Sequence, residues 1–142
     1  MNFNRWQGPV RLEPNGARIT RLALVADEDA PARARVAIGP AVDHPSEDVV
    51  ERATLLTSEV VTNSVLHSGS GEVRLAIWAQ NGSIAVSVCD DGEGFAPVAL
   101  PGTIADANGD GGFGLPLLDT LSEAWGCGHD VETWVWFQVS PR

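Results

Sequence analysis

Apolar residues recur at two different spacings along this chain, and the two spacings predict different elements. Arg21-Leu22-Ala23-Leu24-Val25 reads as a strand, while Glu72-Val73-Arg74-Leu75-Ala76-Ile77-Trp78 and Ser83-Ile84-Ala85-Val86-Ser87-Val88-Cys89 alternate with period two. Thr133-Trp134-Val135-Trp136-Phe137-Gln138-Val139 is the closing strand. Asn81-Gly82 joins the second and third strands, and both residues tolerate the positive φ of a tight hairpin turn. Helical spacing predicts three helices. One runs from Pro31 to about Ile38, capped by Asp29 or a neighbour and stopped by Gly39-Pro40. A long one starts at Ser46, carries Glu47 and Asp48 in its first turn, and ends at Ser68-Gly69-Ser70-Gly71. The third spans Leu115 to Trp125, with Pro116 tolerable in its first turn.

Residues 1–17, with Trp6, Pro9, Pro14 and Gly16, have no period and read as an N-terminal arm. Residues 18–142 then form a single domain, since 142 residues at 44% hydrophobic content suffice for one core and not for two. Residues 96–112 are rich in Gly, Pro, Ala and Asp, and so long a stretch without periodicity predicts a functional lid. The alternating strands each have one apolar face suited to receive helices. The expected fold class is therefore α/β (α+β), a two-layer sandwich with a mostly antiparallel sheet and its helices on one face. Trp78, Trp125, Trp134 and Trp136 are expected in the core and on the sheet faces.

Composition narrows the function. All nine basic residues are arginines, and without lysine neither a Walker-A loop nor a protein-kinase ATP site can be built. The net charge is −10, and between Arg74 and Arg142 there are nine carboxylates and no cation. Nucleic acid is excluded as a direct partner on that ground. Cys89 and Cys127, the latter read as part of a Gly-Cys-Gly loop, have no metal-site spacing, which fits a reduced, cytoplasmic protein. No apolar run of membrane length is present, so no membrane association is expected.

Candidate chemistry lies in three segments. Glu59 and Asn63 are four residues apart on the long helix, about 40° apart in azimuth, with Leu55 and Leu66 to one side and Leu56 and Val60 to the other. Asp90-Asp91-Gly92-Glu93-Gly94 follows a strand, 27 residues beyond Asn63. Gly112-Phe113-Gly114-Leu115 opens the third helix, where unpaired N–H groups suit phosphate oxygens. A helical acid and amide, an Asp-x-Gly-x-Gly turn and a glycine-rich helix entrance, in that order, make an ATP site without a P-loop. Each has a plainer reading: Glu59 paired with Arg52 or solvent, Asn63 bonded to its own backbone, Asp90 in a common Asp-Gly turn, Thr133 as ordinary strand propensity.

Together the segments resemble the N, G1 and G2 boxes of the GHKL ATPase superfamily. Ser58-Glu59-Val60-Val61-Thr62-Asn63-Ser64-Val65-Leu66-His67 is similar to the anti-sigma factor serine kinases of the sigma-B regulator type. The resemblance covers roughly residues 18–140. It implies the Bergerat ATP-binding fold, whose mostly antiparallel mixed sheet carries its helices on one face, with nucleotide held between helix layer and lid. It implies Glu59 as general base, Asn63 as Mg²⁺ ligand and Asp90 as acceptor for the adenine amino group. Gly92 and Gly94 would then form the turn at the base, Gly112, Gly114 and Leu115 the phosphate-facing helix entrance, and Thr133 would lie near the adenine-binding carboxylate. His67 is expected to cap or pack.

On this resemblance the chain is expected to be a protein serine/threonine kinase using ATP and Mg²⁺, acting in transcription regulation. Its substrate would be a small anti-sigma factor antagonist, and it would also hold a sigma factor and pair as a homodimer. The alternative is a non-catalytic, nucleotide-responsive anti-sigma or partner-binding module. Retention of Glu59 favours the enzyme. Phe113, where relatives commonly carry Arg, and the absence of cations from the lid favour the binder.

Overall fold

Strand-forming and helix-forming segments separate cleanly into two layers. The computed structural model describes residues 18–43, 46–68, 71–91, 114–129 and 132–142. In chain order the elements are strand β1 (Arg18–Val25), helix α1 (Ala30–Ile38), helix α2 (Glu47–Ser68), strands β2 (Glu72–Gln80) and β3 (Ser83–Asp90), helix α3 (Gly114–Leu121), and strands β4 (Ala124–His129) and β5 (Thr133–Val139). The sheet has the order β1-β2-β3-β5-β4, and each described pairing is antiparallel. β5, last in sequence, is inserted between β3 and β4. The expected arm over residues 1–17 and lid over residues 96–112 lie outside the described residues.

Strand alternation sorts the side chains by face. Val73, Leu75, Ile77, Ile84, Val86, Val88, Val135, Phe137 and Val139 join buried residues of all three helices in one core. The opposite face carries a smaller cluster of Ala76, Trp78 and Ala85, with Ile19 packed against it. This is the expected one-sided sandwich. Asn81 and Gly82 have φ of 52° and 82°, the two positive values that a tight hairpin turn requires.

Local chemistry sets the helix ends. At the start of α2 the Ser46 hydroxyl accepts the Val49 N–H at 3.1 Å, the expected cap. At α1, Asp29 occupies the capping position without a side-chain bond; instead the Asp27 carboxylate accepts the Asp29 N–H at 2.9 Å. Gly39-Pro40 ends the α-helix at Ile38, and the chain tightens into one 3₁₀ turn over Gly39–Ala41. β1 begins three residues earlier than its apolar run, because Arg18, Ile19 and Thr20 still pair with Ala79, Trp78 and Ile77.

One expectation fails at the C-terminal end. Helix α3 stops at Leu121, and Trp125 lies in β4, as does the Gly126-Cys127-Gly128 segment expected as a loop. Trp125 and Cys127 alternate toward the core while Gly126 and Gly128 face the other way. Those glycines make the strand possible. A Cβ at Gly126 would lie 2.9 Å from the Trp136 indole nitrogen, and one at Gly128 would lie 2.5 Å from Trp134 Cζ2. The two indoles of β5 lie across the bare backbone of β4. Read locally, the glycines signal a turn; read in the sheet, they are seats for tryptophan rings.

Arg52 closes the same end of the molecule. It is 6% exposed, bonds Asp48 at 2.6 Å on α2, and donates to the carbonyls of Leu121 at 3.0 Å and Ser140 at 2.7 Å. Glu123 lies 3.4 Å from it and also accepts the Ser140 N–H at 3.1 Å. The Asp48 hydrogen bond raises the guanidinium pKa against the opposing effect of burial. One buried side chain thus joins the start of α2, the end of α3 and the end of β5.

Glycine substitutions test the seating of the indoles. Gly128→Ala is expected to destabilise the fold by about 1–3 kcal/mol, because a methyl group must displace Trp134. Gly39→Ala, where a Cβ meets nothing within 4 Å and φ is −54°, is expected to stabilise by about 0.4–1 kcal/mol instead. Chemical denaturation of both variants measures the contrast, and equal effects would show that the indoles do not depend on the glycines.

Candidate functional site

Helix α2 places polar residues against the sheet by its own periodicity. At 100° per residue, Arg52, Asn63, Leu56, Val49, Val60, Ala53, Ser64, Thr57 and Val61 fall within an arc of roughly 180°, and all of these are buried. Glu59 lies just outside the arc and is half-buried; Asn63 lies about 40° from Glu59, just within the arc, and is 7% exposed. The apolar wall expected on both sides of this pair exists on one side. Leu56 and Val60 are core, whereas Leu55 and Leu66 face solvent at 44% and 65% exposure.

Asn63 Oδ1 is buried and has no hydrogen-bond donor among the described residues. An amide oxygen left so costs about 1–3 kcal/mol, which a bound cation or donor would offset. Thr57 Oγ1 is similarly placed deeper in the helix. Asn63 differs in lying at the edge of the buried arc, beside half-buried Glu59.

One residue further on, the Ser64 hydroxyl donates to Asp90 Oδ2 across the helix–sheet interface. Asp90 is the last residue of β3 and only 2% exposed, and its register partner on β5 is Thr133, also buried. A carboxylate, a serine hydroxyl and a threonine are therefore brought together from α2, β3 and β5. Ser64 escaped the sequence reading. Its signal was its position, next to Asn63 on a buried arc where a hydroxyl needs a partner.

Of the two plainer partners of Glu59, Arg52 or solvent, the structure removes Arg52. Arg52, its expected ion-pair partner, is taken by Asp48 and Glu123, and Glu59 makes no ion pair among the described residues. Gly114 and Leu115 form the first turn of α3. Gly92, Gly94 and Gly112 lie outside the described residues, as does Phe113. Among the described residues no group of three or more His, Cys, Asp or Glu side chains could hold a metal ion. No helix among them is long and apolar enough to cross a membrane.

The family model of the histidine kinase-like ATPase domain matches residues 24–139, from within β1 to the end of β5. The chain belongs to that family. The match takes in α2, the end of β3 and the start of β5, the three places from which Asn63, Asp90 and Thr133 come. No curated protein matches the chain. Among solved structures it is similar to the crystal structure of the RsbU and RsbW domains of Rv1364c from Mycobacterium tuberculosis, at 16% identity and a TM-score of 0.60. The similarity covers 86% of this chain and 31% of that one. At that identity it carries the fold, a five-stranded antiparallel sheet with helices on one face.

The family assignment makes the buried Ser64–Asp90 pair of this ATPase domain testable as a unit. Ser64→Ala removes a donor from a buried carboxylate and is expected to lower stability by about 1–3 kcal/mol. Ser64→Thr, which keeps the hydroxyl, is expected to lose less. Thermal unfolding of the two variants checks this, and an unchanged midpoint in Ser64→Ala would mean that Asp90 does not need the bond.

Proposed function

We propose that this chain is a nucleotide-dependent regulatory protein that binds ATP with Mg²⁺ and transfers the γ-phosphoryl group to a serine of a small protein. The observation that carries the reading is the orphaned Asn63 oxygen, one residue from the serine that holds buried Asp90. Asn63 offers the kind of ligand that Mg²⁺ takes, a neutral oxygen already stripped of water. A Mg²⁺ ion carried in with a nucleotide needs only one or two protein ligands, and Asn63 would be one of them. Bound there, it would neutralise phosphate charge that the cation-poor second half of the chain cannot.

Asp90 is proposed to read the base. A buried carboxylate oxygen accepts the exocyclic amino proton of adenine, whereas guanine would oppose it with a carbonyl oxygen and leave both acceptors unmet. Gly92 and Gly94 would let the backbone approach the ring, with Thr133 beside it, and Gly112, Gly114 and Leu115 would present N–H groups to the phosphates. Glu59, at the boundary between core and solvent, is proposed as the general base. It takes the proton of the incoming serine hydroxyl as the serine oxygen bonds to the γ-phosphorus and the bond to the β–γ bridging oxygen breaks, releasing ADP.

The kind of substrate follows from the sequence resemblance: a small anti-sigma factor antagonist, in a cytoplasmic partner-switching circuit that also involves a sigma factor and a homodimer of this chain. The lack of cations between Arg74 and Arg142 favours a second reading, a nucleotide-responsive partner-binding module without phosphotransfer.

Calorimetry with and without Mg²⁺ separates the roles. Asn63→Ala is expected to abolish the Mg²⁺ dependence of ATP binding, while Glu59→Gln keeps it and loses phosphoryl transfer to protein serine. Equal loss of Mg-ATP binding in both variants would make Glu59 a metal ligand or a structural residue. Asp90→Asn is expected to weaken ATP by about tenfold or more, the equivalent of 1–3 kcal/mol for an unmet buried hydrogen bond. Wild-type affinity in that variant, or equal affinity for GTP, would remove Asp90 from the site.

A further inference from the structure

Asp90 and Thr133 are the last residue of β3 and the first of β5, so the pair proposed to read the base sits at the end of its ladder. Terminal pairs have neighbours on one side only and open more readily than central ones. Across β3, on β2, Arg74 stands in register with Cys89, one residue short of that end. Its guanidinium donates to Asp91 at 2.9 Å and 3.3 Å, and to Glu132 at 2.8 Å. A further bond of 3.2 Å to Glu72 ties the group to its own strand. Asp91 directly follows Asp90 and Glu132 directly precedes Thr133, so one side chain grips both strands immediately beyond the pair.

The geometry points to Arg74 as a positioning residue for nucleotide recognition: a clamp from β2 that holds the ends of β3 and β5 together, fixing the distance between Asp90 and Thr133. It touches neither residue's side chain in the described contacts and acts through the backbone that carries them. Three features suit it to this. Arginine presents several donors in a rigid fork, so it can hold Asp91 on one side and Glu132 on the other at once, which an ammonium on a flexible stem does less well. Its side chain is 32% exposed and Glu132 is 20% exposed, so the bond between them is partly shielded from solvent and salt. Asp91, held below the usual carboxylate range by the Arg74 hydrogen bond, stays charged throughout the neutral range. Glu132, the acidic residue before Thr133, is the β5 anchor of the clamp.

This inference rests on the nucleotide reading, and the test keeps the two apart. ATP and GTP affinities of the full chain are measured by calorimetry, with the thermal midpoint followed in parallel, for the unaltered protein, Arg74→Lys, Arg74→Gln and Glu132→Gln. The unaltered protein is expected to bind ATP in preference to GTP. Arg74→Gln is expected to lose about tenfold in ATP affinity and most of the preference, because a loosened pair no longer discriminates between the bases. Arg74→Lys is expected to recover part of both. Glu132→Gln removes the charge from the β5 anchor and weakens its bond to Arg74, and is expected to reduce the preference even if Arg74→Gln fails to fold. A lower midpoint with unchanged affinities and an unchanged ATP-to-GTP ratio in Arg74→Lys and Glu132→Gln would overturn the proposal and leave Arg74 a structural residue. No ATP binding by the unaltered protein would overturn the nucleotide reading, and this inference with it.

Discussion

The packing of α2 across β3 and β5 is the constraint on which the rest of the molecule depends. The helix has to seal one face of the sheet with roughly half of its circumference, and it also has to deliver polar groups to the edge of that contact. Val49, Ala53, Leu56, Val60 and Val61 supply the seal. Asn63 and Ser64 lie on the same arc near its C-terminal end, so the burial that stabilises the fold also strips water from an amide oxygen and a hydroxyl. Ser64 is compensated by Asp90. Asn63 Oδ1 is not compensated by any described residue, and this is the ground on which a site is proposed there.

β5 is secured at both ends by arginines, and each does more than one job. Arg52 takes the carbonyl of Ser140, just past the end of the strand, and Arg74 takes the carboxylate of Glu132, just before its start. The strand between them inserts late into the sheet, between β3 and β4, and has no hairpin to β3 to set its register. Bonds at its two ends provide what a turn would otherwise provide. In a chain without lysine these contacts fall to a side chain whose planar fork can serve several acceptors at once. The acidic excess is partly absorbed by them, since Asp48, Glu72, Asp91, Glu123 and Glu132 all meet one of the two guanidinium groups.

The opposite face of the sheet shows a different solution. Trp134 and Trp136 alternate with Val135 and Phe137 along β5, so that both faces of the strand are apolar and buried. The indoles find room because β4 offers glycine where they cross it. Aromatic bulk on one strand and bare backbone on the next are two halves of one packing solution.

Much of this was legible from the residues alone, because it depends on local geometry. Period-two alternation marked β2 and β3, and Thr133–Val139 read as the closing strand; Asn81-Gly82 marked the hairpin; Ser46 marked the start of α2; and the four-residue spacing of Glu59 and Asn63 placed them on neighbouring azimuths whatever the helix packed against. The order of the three motifs indicated an ATP site, and the family match bears out the ATPase domain. Other features were decided only when distant segments met. β4 was taken for helix and loop because its glycines have meaning only beneath Trp134 and Trp136. Leu55 and Leu66 look like core by type, but which side of a helix is buried depends on where the sheet lies. Ser64, Arg52 and Arg74 are unremarkable in sequence, since a hydroxyl or a guanidinium acquires its role from partners 17 to 88 residues away. Spacing along the chain determines what can share a face. Only the tertiary structure determines what that face meets, because hydrogen bonds and ion pairs act over a few ångströms of space irrespective of separation in sequence.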